Sequence, residues 1–503
     1  MHTSSRRKVK IVCTLGPSSN TAQKIETLVR AGLDTARLNF SHGTHDFHRG
    51  LFESVRNAAK NTGKLVGVLQ DLQGPKLRVG KLPAEGIFLK AGDEVLMYPE
   101  GTDPKSSIVG RIAIPMNAEI AGPISKDVRR GSRILFDDGK ISSEVKDVHA
   151  PEIVLTIVAG GKLTSNKGMN LPGTPLSLPC ATEKDLRDLK LGLELGVDSV
   201  ALSFVRKPQD VLFVKEFIRK NSNHNPLLIS KIEREEAVYA PEGILEVSDG
   251  IMIARGDMAV ELGAQKVPVI QKMLIRMSNE LGVPVITATQ MLESMISCPT
   301  PTRAEASDVA NAVFDGTDAV MLSAESASGE YPLETVETMD KIIREAEVEG
   351  KKYSTHHLLT PMSGSIVDSI EDSASKIATH VGASAIACIT HSGLAAKTLA
   401  KYRPDIPIVA IMDNESSLRK LAFVWGVQGI LIPELVATDD LFGMVSRVMV
   451  ETGHAGEDDL IVVTAGVPTL GRGTTNTIKV HQVKTARGPR ASSSPSVTSP
   501  NIT

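Results

Sequence analysis

Eight short apolar runs, Val9–Thr14, Thr35–Phe40, Leu65–Asp71, Ser199–Phe204, Leu227–Ile232, Gly250–Ala254, Val283–Ala288 and Ala319–Ser323, punctuate the first two thirds of this 503-residue chain. Seven lead directly into a stretch with helical period. Glu183–Leu195 carries Leu186, Leu189, Leu191, Leu193 and Leu195 among charges, and Gln209–Asn221 carries Val211, Leu212, Val214, Phe217 and Ile218. Strand and helix alternating in this way predict a parallel sheet closed as a (β/α)8 barrel, an α/β fold. An open doubly wound sheet is the alternative, but no Gly-x-Gly-x-x-Gly follows the first strand.

The rhythm breaks once. After Asp71 comes Gln73-Gly74-Pro75, then about a hundred residues without a long helical period. Short β-like pieces recur there at Glu94–Tyr98, Arg133–Phe136, Ile141–Val145 and Ile153–Val158, separated by turn sequences such as Asp137-Asp138-Gly139. This reads as an all-β, barrel-like insert in a βα loop. Such loops lie on the catalytic face of a barrel, so the insert is placed to act as a lid. Beyond Glu349 a helix at Ile366–Val381 and a strand at Ala385–Ile389 begin a second alternation. It runs through Ser392–Tyr402, Ile408–Ile411, Ser416–Trp425, Gly429–Ile432, Asp439–Glu451, Leu460–Thr464 and Thr477–Val483, an open-sheet α/β domain. A chain this long exceeds one core. The expected division is a barrel from 1–75 and 178–349, a lid from 76–177, a C-terminal domain from 350–485 and a disordered tail from 486–503, Ser/Pro-rich and nearly free of large apolar residues.

Composition removes several classes of function. Net charge is −3, so no global basic field points to nucleic acid, and aromatics at 3% leave little for base stacking. No apolar run approaches the ~18 residues of a membrane span, and the N-terminus lacks the apolar centre of a signal peptide. Cys13, Cys180, Cys298 and Cys388 are far apart, which fits a reducing compartment without structural zinc and a cytoplasmic location.

In a closed barrel the C-terminal strand ends meet on one rim. Those ends read Arg37-Leu38-Asn39-Phe40-Ser41-His42, Asp71 followed by Lys76 and Arg78, Lys231-Ile232-Glu233, Arg255-Gly256-Asp257, Thr287-Ala288-Thr289 and Ser323-Ala324-Glu325. A buried strand ending in lysine and carboxylate beside another ending in carboxylate suits Mg²⁺, which takes one or two carboxylates and leaves its other positions to water and phosphate oxygens. With the arginines, the rim suits an anionic, phosphorylated substrate. Each part also has a plainer reading. Lys231 and Glu233 read equally well as a structural ion pair. Asp257 reads as a helix-start carboxylate, and Asn39, Ser41 and Asp71 as turn and cap residues. His42 has no partner at metal-ligand spacing. Gly256 favours function, since glycine lets backbone N–H groups approach an anion. Lys10, Lys60 and Lys64 read as solvated charges.

The stretches KIVCTLGPSS, ARLNFSHG, QDLQGPKLRVG, NKGMNLPG, LSFVR, SKIE, GIMIARGDMAVEL, TATQMLESM, TRAEASDVANAVFDGTDAVMLSAESASGEYP and TNTIKV occur in the order found in pyruvate kinases, and the chain resembles that family from Lys8 to Val483. The resemblance implies a barrel with an inserted lid and a C-terminal α/β domain. It implies phosphoryl transfer from phosphoenolpyruvate to ADP, giving pyruvate and ATP. Lys231 would stabilise the transferring phosphoryl and the enolate. Glu233 and Asp257 would hold Mg²⁺ or Mn²⁺, and a second Mg²⁺ would arrive with the nucleotide. Gly256, Asp257 and Thr289 would bind the substrate carboxylate, with a water near Thr289 protonating the enolate. Arg37 would contact phosphate. Arg78 and Lys167, with Asn39 and His42, would contact the nucleotide.

Many members bind K⁺ through residues matching Asn39, Ser41, Asp71 and the carbonyl of Leu72, and carry Thr-Lys-Gly-Pro-Glu after the aspartate. Here the run is Leu72-Gln73-Gly74-Pro75-Lys76. The lysine brings its own positive charge, so the chain resembles the K⁺-independent branch. In the C-terminal domain Thr390-His391-Ser392-Gly393 opens a helix, a geometry suited to phosphate, and a loop with Arg472 and Thr474 is placed to close over it. That region binds phosphorylated effectors in the family. Empty αβ turns are the alternative. A homotetramer is also implied by the resemblance. Two other readings are a phosphoenolpyruvate-linked lyase, which would need no ADP, and a non-catalytic sensor, which would have lost Lys231, Glu233, Asp257 or Thr289.

Overall fold

The computed structural model describes residues 7–75, 77–102, 112–350, 361, 364–434, 438–467 and 475–484. Lys76, Arg472, Thr474 and the expected tail therefore lie outside the described residues. Eight parallel strands close into a barrel: β1 (Lys10–Leu15), β2 (Thr35–Asn39), β3 (Gly67–Asp71), β4 (Ser199–Leu202), β5 (Leu227–Ile232), β6 (Gly250–Ala254), β7 (Val285–Ala288) and β8 (Ala319–Leu322). Each coincides with one of the eight apolar runs. β1 closes the ring by pairing with both β2 and β8.

Local signals explain where helices begin. Glu183–Leu195 starts on a capping box: Asp185 N–H donates to the Thr182 hydroxyl while Asp185 accepts from Thr182 N–H, and the helix stops at Gly196 in the left-handed region. Asp185 also accepts from Gly74 N–H at 3.0 Å, which fixes the loop that leaves β3.

The barrel base is fastened by a fourfold device. An aspartate precedes each even strand and accepts the amide of the preceding odd strand. Asp34 holds Ile11 N–H at 2.8 Å, Asp198 holds Val68 N–H at 2.8 Å, Asp249 holds Leu228 N–H at 2.9 Å and Asp318 holds Val285 N–H at 3.0 Å. Each carboxylate also meets a cation: Arg7, Arg56, Lys215 and Arg403 respectively. Arg403, and Arg419 on Asp198 at 2.9 Å, come from the C-terminal domain, which thus docks under the barrel. Phe423 completes the docking. It packs into the interior cluster of Val12, Leu69, Ile229, Met252 and Ile286. This explains a departure from the sequence reading, because the stretch 416–425 is helical only over Glu415–Arg419 and then tightens into turns that deliver Phe423. Lys10 is not a solvated charge. It is buried and donates to Val427 carbonyl oxygen at 2.8 Å.

Between β3 and β4 the insert forms a six-stranded sheet in the order Met169–Asn170, Arg133–Phe136, Ile141–His149, Glu152–Ala159, Glu94–Pro99, Ile112–Met116. A two-stranded sheet, Gly161–Leu163 with Ile87–Leu89, accompanies it around a separate apolar core. The insert is not all β: Ala118–Asp127 is a helix capped by Asn117, despite Pro123 inside it. The C-terminal sheet runs Val427–Leu431, Ile408–Met412, Ala385–Ile389, Leu460–Ala465, Thr477–Gln482, with only the last strand antiparallel. Among the described residues no helix is long and apolar enough to cross a membrane.

Candidate active site

A cavity of about 260 Å³ opens at the C-terminal ends of the barrel strands, under the lid. Its wall includes Arg37 of β2, Asp71 of β3, Lys231 of β5, then Glu233, Asp257 and Thr289 just past β5, β6 and β7. Asn39, Ser41 and Arg78 also line it, and the lid adds Asp138 and Asn170.

Lys231 sits at the centre of the charge network. Its ammonium is 2.7 Å from Ser203 Oγ, 3.5 Å from Glu233 Oε2 and 3.7 Å from Asp71 Oδ1. Burial pulls its pKa down, but Asp71, Glu233 and Asp257 outweigh burial and raise it, so the ammonium stays charged. Asp71 is shared, because Arg37 Nε donates to its Oδ2 at 2.7 Å while Arg37 Nη1 donates to Thr14 Oγ1.

Glu233 is buried, and burial together with the charges of Asp257 and Asp71 pushes its carboxyl up. Phe204 N–H donates to its Oε1 at 2.7 Å, whereas buried Oε2 has no hydrogen-bond donor among the described residues. Phe204 thus holds one oxygen from behind, while the other, facing the Lys231 ammonium at 3.5 Å, keeps lone pairs for a cation. Among the described residues no group of three or more His, Cys, Asp or Glu side chains is arranged to hold a metal. A closed zinc-type site is thus not found there, while a hard cation needing only one or two carboxylates fits Glu233 and Asp257.

Thr289 takes φ of 72° and Gln290 φ of 55°, a left-handed pair that turns the chain sharply off β7. Arg255, itself buried, clamps this turn. Its Nη2 donates to Thr289 carbonyl oxygen at 2.6 Å, and its guanidinium is neutralised by Asp308 at 2.7 Å. Gly256 N–H donates to Thr289 Oγ1 at 2.8 Å. A Cβ at 256 would stand 3.6 Å from that oxygen, an ordinary contact, so the protein's own packing does not demand glycine there.

Other expected residues are placed differently. Lys167 lies on the lid with its ammonium 2.7 Å from Asp137, outside the cavity wall. His42 is exposed, and its carbonyl oxygen bonds His48. Leu72 is buried and its carbonyl oxygen accepts from Ser203 Oγ at 2.8 Å. In the C-terminal domain Thr390 Oγ1 accepts Gly393 N–H at 3.1 Å, Ser392 Oγ accepts Leu394 N–H at 3.4 Å, and His391 pairs with Asp413 at 2.7 Å. Sequence reasoning missed Ser203 and Phe204, although the rule of looking at strand ends, applied to β4, points to both.

Residues 6–336 match the family described as "Pyruvate kinase, barrel domain", and residues 368–481 match "Pyruvate kinase, alpha/beta domain". The chain is 44% identical over 483 residues to a pyruvate kinase of Staphylococcus haemolyticus, covering 95% of this chain and 80% of that one. A pyruvate kinase of Staphylococcus aureus strain MRSA252 is 45% identical with the same coverage. The fold is similar to the crystal structure of a pyruvate kinase from Cryptosporidium parvum, with TM-score 0.87, 34% identity and coverage of 95% and 96%.

Proposed function

The chain belongs to the pyruvate kinase family of phosphotransferases, and from that premise we propose that it transfers phosphoryl from phosphoenolpyruvate to ADP with Mg²⁺ or Mn²⁺ and without K⁺. The observation that carries this reading is one cavity lined by Lys231, Glu233 and Asp257, with Arg37 tied to the same Asp71.

Arg37 and Lys231 place two positive charges on either side of Asp71, ready to receive a phosphate. The Lys231 ammonium would face charge that builds on the moving phosphoryl and on the enolate oxygen. Glu233 and Asp257 would hold Mg²⁺, which when bound neutralises substrate oxygens. The amides of Gly256 and Asp257 would take the substrate carboxylate. Because Gly256 N–H is bonded to Thr289, that carboxylate would compete for the amide and turn the Thr289 hydroxyl toward the enolate. A water held there would deliver the proton. Arg78 and Lys167, with Asn39 and His42, would orient the nucleotide and its own Mg²⁺. Positioning and charge suffice, so no covalent intermediate on the protein is needed.

K⁺ independence rests on Lys76 standing where other members carry glutamate. Asn39, Ser41, Asp71 and the Leu72 carbonyl would form the lysine-compensated equivalent of the cation site. The same reading divides the chain into a barrel (1–75, 178–349), a lid (76–177), a C-terminal domain (350–485) and a tail (486–503). It includes a homotetramer and a cytoplasmic location, the latter in keeping with four free cysteines. A phosphorylated effector would bind near Thr390, His391, Ser392 and Gly393, with Arg472 and Thr474.

The test is pyruvate formation from phosphoenolpyruvate with ADP present or omitted, in Na⁺- and K⁺-free buffer. ADP-dependent turnover without K⁺ is expected. Turnover without ADP would indicate a lyase, and near-total loss restored by K⁺ would reject the cation assignment.

A further inference from the structure

The segment that returns from the lid to the barrel is held by two arginines that none of the roles above uses. Three of its carbonyl groups, spaced two residues apart, accept guanidinium hydrogens. Arg234 Nη2 donates to Thr174 carbonyl oxygen at 3.2 Å, Arg206 Nη1 donates to that of Leu176, and Arg206 Nη2 to that of Leu178 at 2.8 Å. Spacing by two is the period of extended chain, so one face of the strap meets both arginines.

Arg234 does more than hold the strap. It is 4% exposed, and its Nη1 donates to Glu261 Oε2 at 2.9 Å. Glu261 lies one turn beyond Asp257 on the helix Arg255–Leu262. The guanidinium carbon is also 5.9 Å from the centre of the Phe204 ring, and Phe204 N–H orients Glu233 Oε1. One buried cation therefore touches the lid strap, the helix of one proposed metal ligand and the residue that aims the other. A buried ion pair is a poor source of stability compared with apolar packing. What it supplies here is fixed relative placement.

Building on the metal-ligand reading of Glu233 and Asp257, we propose that Arg234 is a positioning residue. It locks the lid strap to the metal-bearing helix, so that lid position and carboxylate geometry are set together. Partners that orient metal ligands typically change affinity or activity by about 10- to 100-fold when removed.

The test uses the full-length enzyme with Mn²⁺ as probe, its affinity read by electron paramagnetic resonance, alongside kcat and KM for each substrate. Arg234→Met is expected to weaken Mn²⁺ binding by about tenfold or more and to lower kcat. Arg234→Met/Glu261→Leu removes the buried pair, leaving only the partly exposed Glu236, 3.7 Å from Arg234 in the unaltered enzyme, without its cation, and should recover much of the thermal stability while keeping both defects. Arg234→Lys preserves charge toward Glu261 but lacks the second arm for Thr174, and should raise KM for ADP several-fold with an intermediate Mn²⁺ defect. Native Mn²⁺ affinity and native kcat in the double variant, or native KM for ADP and native Mn²⁺ affinity in Arg234→Lys, would overturn the proposal alone. Undiminished Mn²⁺ binding by Glu233→Gln would overturn the metal-ligand reading and this proposal with it.

Discussion

The Lys231 ammonium donates to the Ser203 hydroxyl at 2.7 Å, and that hydroxyl donates onward to Leu72 carbonyl oxygen at 2.8 Å. The chain of bonds orders the donors, because an ammonium can only donate and the carbonyl can only accept. Ser203 therefore aims the side chain on which the proposed charge stabilisation depends. Ser203→Ala should lower kcat by roughly 10- to 100-fold, since misplacement on the ångström scale costs about that much. Steady-state kinetics checks this, with KM for phosphoenolpyruvate changing less than kcat. A kcat within twofold of the unaltered enzyme would show that Asp71 and Glu233 hold Lys231 without help.

Lys231→Met separates phosphoryl transfer from metal binding. Removing one preorganised donor to a developing anion typically costs about 100- to 1,000-fold, and loss of a full charge in a buried site should cost at least the upper figure. Glu233 and Asp257 remain, so Mn²⁺ should still bind. Single-turnover rates and Mn²⁺ titration read the two effects separately. A nearly normal rate would refute the role given to Lys231.

The barrel base offers a contrast in the cost of broken pairs. Asp198 is 1% exposed and serves Arg56, Arg419 and Val68 N–H at once. Asp198→Ala leaves Val68 N–H without its acceptor and Arg56 and Arg419 without their buried counter-charge, and breaking a buried pair this way costs roughly 3–5 kcal/mol. Arg419→Met leaves Asp198 with Arg56 and the amide, so its cost should be less than half as large. Urea unfolding of the two variants, followed by circular dichroism, makes the comparison, and equal losses would contradict it.

Much of this architecture is legible in the residue string. Lys231-Ile232-Glu233 and Arg255-Gly256-Asp257 end apolar runs in charge, and β5 and β6 stop at those positions. The helix Ala118–Asp127 was illegible because Gly122 and Pro123 interrupt its period, and the Asn117 cap compensates only in three dimensions. Phe423 looked like one apolar residue in a helical stretch. Its destination is the barrel interior, among Ile229, Met252 and Val12, between 171 and 411 residues away in the chain, and no local pattern encodes that meeting. Arg206 and Arg234 carry no local signal of their role, since their acceptors are backbone carbonyls of a distant strap. Strand-end chemistry is local and therefore readable. The partners that aim it come from other strands and are not.

Glu371 supplies a signature of the C-terminal domain that depends on pH. It is fully buried on the helix Ile366–His380, and burial pushes its carboxyl up to about 8, against weaker lowering by hydrogen bonds from Thr464 and Cys388. The nearby cations are committed elsewhere: Lys401 to Asp368 at 2.9 Å and Lys376 to Asp372 at 2.6 Å. The folded state thus holds a proton that the unfolded chain releases near the ordinary value of 4.5. The contribution of Glu371 to stability is complete below that value, falls as pH rises toward about 8 and is flat above it. Within that window one such group gives a slope of up to about 1.4 kcal/mol per pH unit. Glu371→Gln keeps the shape and removes the titration. Thermal unfolding at pH 5.5, 7 and 8.5 should show a smaller decline in that variant than in the unaltered chain. An identical decline in both would mean that Glu371 is ionised in the folded domain throughout and that another group carries the pH dependence.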